Sequence, residues 1–269
     1  MQKKITVALL ISTYNWPEAL ELTLLSALNQ TQMPDEILIA DDGSTESTKT
    51  IIEKYALLFP IPIRHLWQED KGFRLAKIRN KAIAKTNSDY IIQIDGDIIM
   101  HPYFIQDHIK FAKPNSFVRA SRVYINEVVS NQMLEKCQYK ISAFSKGISN
   151  FFSAVRIPFL WKYFEKNYKM KGEELYEIHG CNMAFWRKDA IKVNGYNESF
   201  NGWGPEDKEF ITRLLNSGVQ KRFIKLGAIA FHIYHKENAK TFLKENTETF
   251  KEAILHKKTY NEFGINQYL

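Results

Sequence analysis

Cysteine is scarce in this chain: there are two in 269 residues, Cys137 and Cys181. They are too few and too far apart for a disulfide framework or a structural zinc site, so a reducing compartment is expected. Long apolar runs are missing too. No stretch approaches the roughly 20 consecutive apolar residues that span a bilayer, and the expectation is a soluble or membrane-surface protein. Ile5–Ile11 follows two lysines in the manner of a short signal peptide. The run ends at Ser12-Thr13-Tyr14-Asn15 without a small-residue cleavage pattern, so it reads as a first strand. Repeats and low-complexity linkers are also wanting. That predicts one domain over 1–269, with an insertion and a C-terminal tail. What the chain does contain is 45% hydrophobic residues, enough for a sizeable core, and a net charge of +7, which suits an anionic partner.

The first half alternates strand and helix. Ile5–Ile11 is a near-continuous aliphatic run, as expected of a parallel strand covered on both faces. Pro17 opens a helix through Leu28, with Leu20, Leu24, Leu25 and Leu28 on one stripe. Strands are predicted at 36–40, 63–67 and 90–94, and helices from Thr45 to Leu58 and over 71–85. The alternation predicts an α/β fold with a mixed, mainly parallel sheet flanked by helices. Ligands of such sheets bind at the carboxyl ends of the strands. Ser12-Thr13-Tyr14, Asp41-Asp42 and Asp95-Gly96-Asp97 all fall there.

Asp95 and Asp97 stand two apart after the strand-forming Ile91–Ile94. In extended chain they point to one side, and two carboxylates that close call for a cation. Hard ions such as Mg²⁺ or Mn²⁺ take such ligands together with substrate phosphates. An Asp-Gly surface turn is the other reading of the same residues.

The second half adds a base and further ligands. Gly202-Trp203-Gly204-Pro205-Glu206-Asp207 is a turn running into a helix. Acidic residues in a first helical turn also favour the helix dipole, which by itself accounts for either carboxylate. At about 100° per residue, Phe210, Ile211, Leu214 and Leu215 define an apolar face. Asp207 lies near its centre and Glu206 at its flank, with Lys208, Glu209 and Arg213 outside. A carboxylate aimed inward has the fixed position and partial desolvation of a general base, and Asp207 is favoured over Glu206. His232 and His235 follow the aliphatic strand 229–231 and share a face only if the chain turns there. Beside an Asp-x-Asp, one of them is expected as a further metal ligand, His235 ahead of His232.

Ser12-Thr13-Tyr14-Asn15, Ala40-Asp41-Asp42-Gly43-Ser44 and Asp95-Gly96-Asp97 resemble the signature of family 2 glycosyltransferases with the GT-A nucleotide-sugar fold. The segments 72–80 and 194–207 are similar to β-1,4-galactosyltransferases and bacterial chondroitin-type polymerases. The resemblance covers most of 5–235. It implies inverting transfer of a hexose or N-acetylhexosamine from a UDP-sugar, with Mn²⁺ or Mg²⁺, to a glycan hydroxyl in bacterial surface polysaccharide or lipooligosaccharide synthesis. By the same resemblance Ser12, Tyr14 and Asp42 meet the uridine, and Arg74 lies near the diphosphate or uracil. Asp95 approaches the ribose or sugar, and Asp97, His235 and His232 bind the metal. Trp203 borders the sugar and acceptor pocket, and Asp207 is the base. Pro205 replaces a Gly of the galactosyltransferase motif, which leaves donor choice open. A retaining GalNAc-transferase-like enzyme and a non-catalytic nucleotide-sugar-binding protein are the alternatives. A nucleotidyltransferase would carry a Gly-rich, Lys/Arg-bearing loop after the first strand, where this chain has Ser-Thr-Tyr-Asn-Trp-Pro.

The division that follows is a nucleotide-binding half at 1–110, an acceptor and base half at 172–235, and a helical tail at 236–269. Between the halves, 126–171 mixes Lys136, Lys140, Lys146, Arg156, Lys162, Lys166, Lys169 and Lys171 with Phe144, Phe151, Phe152, Phe159, Trp161, Tyr163 and Phe164. The plain reading is a pair of helices with solvated lysines. The other is peripheral contact with an anionic membrane, which fits a lipid-linked glycan acceptor at the inner face of the cytoplasmic membrane. No nucleic-acid motif is present, and no nucleic-acid partner is expected.

Overall fold

A computed structural model describes residues 4–165, 168–236 and 241–269. Its strands are β1 Val7–Thr13, β2 Glu36–Asp41, β3 Ile63–Trp67, β4 Tyr90–Asp95, β5 Ile98–Met100, β6 Ser116–Ala120, β7 Arg122–Tyr124, β8 Asn182–Trp186, β9 Gln220–Ile224 and β10 Ala230–His232. Its α-helices are α1 Pro17–Leu28, α2 Glu46–Ala56, α3 Leu75–Lys85, α4 Phe104–Phe111, α5 Glu127–Glu135, α6 Phe151–Ala154, α7 Trp161–Glu165, α8 Arg187–Lys192, α9 Glu206–Asn216 and α10 Leu243–Leu255.

Seven strands form one sheet in the order β3-β2-β1-β4-β8-β6-β9. The first four are mutually parallel, β8 runs against β4 and β6, and β9 lies parallel to β6. The fold is mixed α/β, as the alternation predicts.

Every residue of β1 is buried because both its faces are covered. Side chains alternate across the sheet. Val7, Leu9 and Ile11 join Leu20, Leu24 and Ile52 of α1 and α2 in one core. Ala8 and Leu10 join Ala76, Ile78 and Ala82 of α3 and Phe210, Ile211 and Leu214 of α9 in another. Register then aligns the polar strand ends: Thr13 pairs with Asp41, and Ser12 with Asp95.

A second sheet, β5-β10-β7, brings Asp97 and His232 together. His232 pairs with Ile98, the residue after Asp97, and the Ile233 amide donates to the Asp97 carbonyl at 3.0 Å. Residues over 130 positions apart are thereby neighbours.

Three expectations change. The helix expected over 71–85 starts at Leu75. Gly72 has φ +81°, and the Arg74 amide donates to Asp42 at 2.7 Å, so residues 69–74 fold over Asp42 instead of joining the helix. Asp97 lies in a turn after β4, so strand alternation is not what brings it to the site. The insertion is not a helix pair. Beyond α5 it is irregular chain carrying the short α6 and α7, broken by left-handed Cys137 and Asn150, Gly147 at φ +78°, and Pro158. Lys166 of that insertion lies outside the described residues.

Candidate active site

One open cavity of about 1570 Å³ collects Ser12, Tyr14, Asp42, Asp95, Asp97, Trp203, Glu206, Asp207, His232 and His235. Arg74 is the exception among the expected site residues. Its guanidinium binds the Glu69 carbonyl, and only its amide reaches Asp42.

Three of these residues form a candidate metal centre. One ligand atom each from Asp97, His232 and His235 lie within 4.8 Å of one another. The Nε2 atoms are 3.7 and 3.4 Å from Asp97 Oδ2. Each Nδ1 faces a backbone carbonyl, Ile233 at 2.7 Å and Lys236 at 2.8 Å. A carbonyl can only accept, so the network assigns the protons to Nδ1 and leaves the Nε2 lone pairs toward Asp97. Asp97 Oδ1 is buried without a hydrogen-bond partner. An orphaned carboxylate oxygen beside two aimed imidazoles fits a divalent cation such as Mn²⁺ or Mg²⁺.

Asp95 does not join that group. Its carboxylate turns to Arg79 at 3.0 Å. Arg79, from α3, is the residue that the sequence left without a role. Its side chain is 1% exposed. It donates to Ser12 Oγ at 3.1 Å and to Asp207 Oδ1 at 3.0 Å, and it lies 3.5 Å from Glu206. The only hint in sequence is its position in the Gly72–Asn80 segment, four residues along a helix from Leu75, on the face packed against the sheet.

Asp207 enters at the start of α9, with its side chain 19% exposed to the cavity. The Tyr196 hydroxyl lies 3.2 Å from its Oδ1 and 2.8 Å from Gln93 Oε1, so its one proton serves two acceptors, and Gln93 donates to the Gly180 carbonyl at 3.1 Å. A Cβ on Gly180 would run into the Asp207 carboxylate. Burial pushes the Asp207 carboxyl up from the usual range, and the Arg79 charge opposes that shift. Glu206 is buried more deeply, and burial followed by repulsion from Asp207 pushes it up to about 8. The helical wheel is too narrow a guide here. Glu209 and Arg213, expected outside the apolar face, are buried as a 2.7 Å pair.

The loop ahead of α9 is held by the tail. Asn246 of α10 donates to the carbonyls of Asn201 at 2.9 Å and Trp203 at 3.3 Å. Tyr14 bonds Asp70 at 2.9 Å, and Asp42 accepts from Gln68 at 2.6 Å.

This sheet, with acidic residues at the carboxyl ends of its strands, has the GT-A fold of the glycosyltransferases. Residues 8–193 match the family model "Glycosyl transferase family 2", and the chain belongs to that family. Residues 163–236 also match "N-terminal domain of galactosyltransferase". The chain is 29% identical over 245 residues to a chondroitin synthase of Pasteurella multocida (strain Pm70), covering 86% of this chain and 25% of that one. It is 24% identical over 234 residues to a validoxylamine A glucosyltransferase of Streptomyces hygroscopicus subsp. limoneus, covering 79% and 48%. The chain therefore spans between a quarter and a half of the length of these relatives. Among solved structures, S. aureus TarS 1-349 in complex with UDP-GlcNAc aligns with a TM-score of 0.67 at 14% identity, covering 98% of this chain and 69% of that one. That likeness is one of fold.

Proposed function

We propose that this chain is an inverting, metal-dependent glycosyltransferase. It moves a hexose or N-acetylhexosamine from a UDP-sugar to a hydroxyl of a glycan, in the assembly of a bacterial surface polysaccharide or lipooligosaccharide. The observation that carries this reading is Arg79, which ties Asp95 at the end of a nucleotide-side strand to Asp207 at the start of α9, at 3.0 Å each. Family membership supports the transfer, and relatives named as chondroitin synthase support a polysaccharide product.

In this reading the nucleotide-binding half, 1–110, meets the uridine with Ser12, Tyr14 and Asp42, and Asp95 approaches the ribose or sugar. Trp203 borders the sugar. The acceptor oxygen attacks the anomeric carbon on the face opposite the diphosphate and gives its proton to Asp207. The bond from that carbon to the phosphate oxygen breaks, and its electron pair leaves on the diphosphate. Mn²⁺ or Mg²⁺ bound by Asp97, His232 and His235 would supply Lewis-acid neutralisation of that leaving group. Asp207 meets the needs of a base: it is fixed by Tyr196 and Arg79, partly desolvated, and faced by a guanidinium whose charge opposes the upward pull of burial on its carboxyl.

The test is a panel of UDP-sugars screened for Mn²⁺-dependent thermal stabilisation, followed by transfer assays with the stabilising donor. Stabilisation by no UDP-sugar in the presence of Mn²⁺ would end this reading.

A further inference from the structure

The positive charge of this chain is concentrated in one segment. Residues 136–171 hold eight of the 37 Lys and Arg and one of the 30 Asp and Glu. The excess of seven charges therefore lies within it, and the rest of the chain is balanced. Trp161 is buried in the core, but several of the other aromatic residues are displayed. Phe144 is 87% exposed and Phe152 74%, with Phe151 between them at ring-centroid distances of 5.7 and 5.9 Å. Phe159 and Tyr163 are also exposed. Lys136, Lys140, Lys146, Lys162 and Lys171 are exposed in the same segment. Lone exposed aromatics need no explanation, but a packed row of three does.

We propose that the loop carrying Phe144, Phe151 and Phe152 docks this protein on an anionic lipid surface. The rings sit in the interface and the flanking lysines lie against headgroups. A phenylalanine row presented to water gains by entering the interfacial layer. Each neighbouring lysine adds attraction to anionic lipid that fades within a Debye length. The loop is not a loose appendage. Ile148 bridges Ile125, the Asn126 amide donates to the Gly147 carbonyl at 2.7 Å, and the Ser149 amide donates to the Tyr124 carbonyl at 2.8 Å. Gly147, Ile148 and Ser149 also line the active-site cavity. The surface that meets lipid is thus continuous with the cavity wall, and a lipid-linked glycan would reach Asp207 from the membrane side. That consequence rests on the transferase reading, whereas docking itself rests only on the loop.

The test uses the whole chain with vesicles of phosphatidylcholine alone and vesicles that also contain phosphatidylglycerol, separated by sedimentation. Parent protein is expected to pellet with anionic vesicles at low salt, to be released by high salt, and to ignore neutral ones. The double variants Phe144→Ser/Phe152→Ser and Lys140→Gln/Lys146→Gln should each bind about tenfold more weakly or worse, with far-UV circular dichroism unchanged. Transfer to a water-soluble acceptor should be the same in all three proteins, and transfer to a vesicle-borne acceptor should fall in both variants. Parent protein that stays in the supernatant at low salt would overturn the proposal. So would an aromatic variant that binds as tightly as the parent, since the lysines would then be attracting any polyanion. Loss of UDP-sugar stabilisation with vesicle binding intact would instead remove the transferase reading and leave docking in place.

Discussion

Arg79 and Asp207, 128 positions apart in sequence, meet at 3.0 Å in the floor of the cavity. The same guanidinium holds Asp95 and approaches Glu206. One cation thus serves three carboxylates in a buried cluster, and its loss leaves them facing one another.

Arg79→Met is therefore expected to destabilise the fold by about 3–5 kcal/mol, the cost of leaving buried charge uncompensated, as measured by urea unfolding. In whatever protein folds, Asp207 loses the charge that opposes its burial. The acid limb of the rate profile should then move to higher pH.

Asp207→Asn keeps the volume and removes the proposed proton acceptor. Transfer should fall by roughly 10²–10⁴-fold, while UDP-sugar affinity by calorimetry stays near that of the parent. Near-parental transfer by this variant would show that Asp207 is not the base.

Removing the proposed metal ligands is expected to have a different signature. Asp97→Ala and His235→Ala should weaken UDP binding in Mn²⁺ by about 100-fold and leave the weaker, metal-free binding unchanged. Titrations with Mn²⁺ and with a chelator separate the two. A variant that binds UDP equally with and without Mn²⁺ fits this expectation, and one that retains the parent's Mn²⁺ dependence does not.

Glu206 gives a pH dependence of stability. Its carboxyl is pushed up to about 8 in the fold, first by burial and then by Asp207, so between its ordinary range and that value the folded state binds more protons than the unfolded one. Stability from this group is full below the unfolded pKa and is lost as pH rises toward 8. Unfolding at about pH 6 and about pH 9 should show the parent losing more stability than Glu206→Gln across that interval. Comparing the two proteins cancels titrating groups that do not contact Glu206, among them Lys221, which burial lowers to about 7.

Much of the architecture could be read from local pattern. The strand at 63–67 and helix at 17–28 fall where periodicity puts them, because aliphatic alternation and a proline at a helix start are properties of short segments. The insertion misled for the same reason. A mixture of aromatic and basic residues says nothing of Gly147 and Asn150 in left-handed conformations, which break a helix one residue at a time.

The sequence by itself determined the chemical inventory: an acidic pair after a strand, a carboxylate at a helix start, two histidines after a late strand, and family 2 motifs that join them. Tertiary structure decided the partnerships. Pairing of β5 with β10 delivers Asp97 to His232, and α3 against the sheet drives Arg79 between Asp95 and Asp207. Charge pairing across a hundred residues depends on register and helix packing. Neither is encoded in any one segment, and for that reason Arg79 had no visible role until the fold was in view.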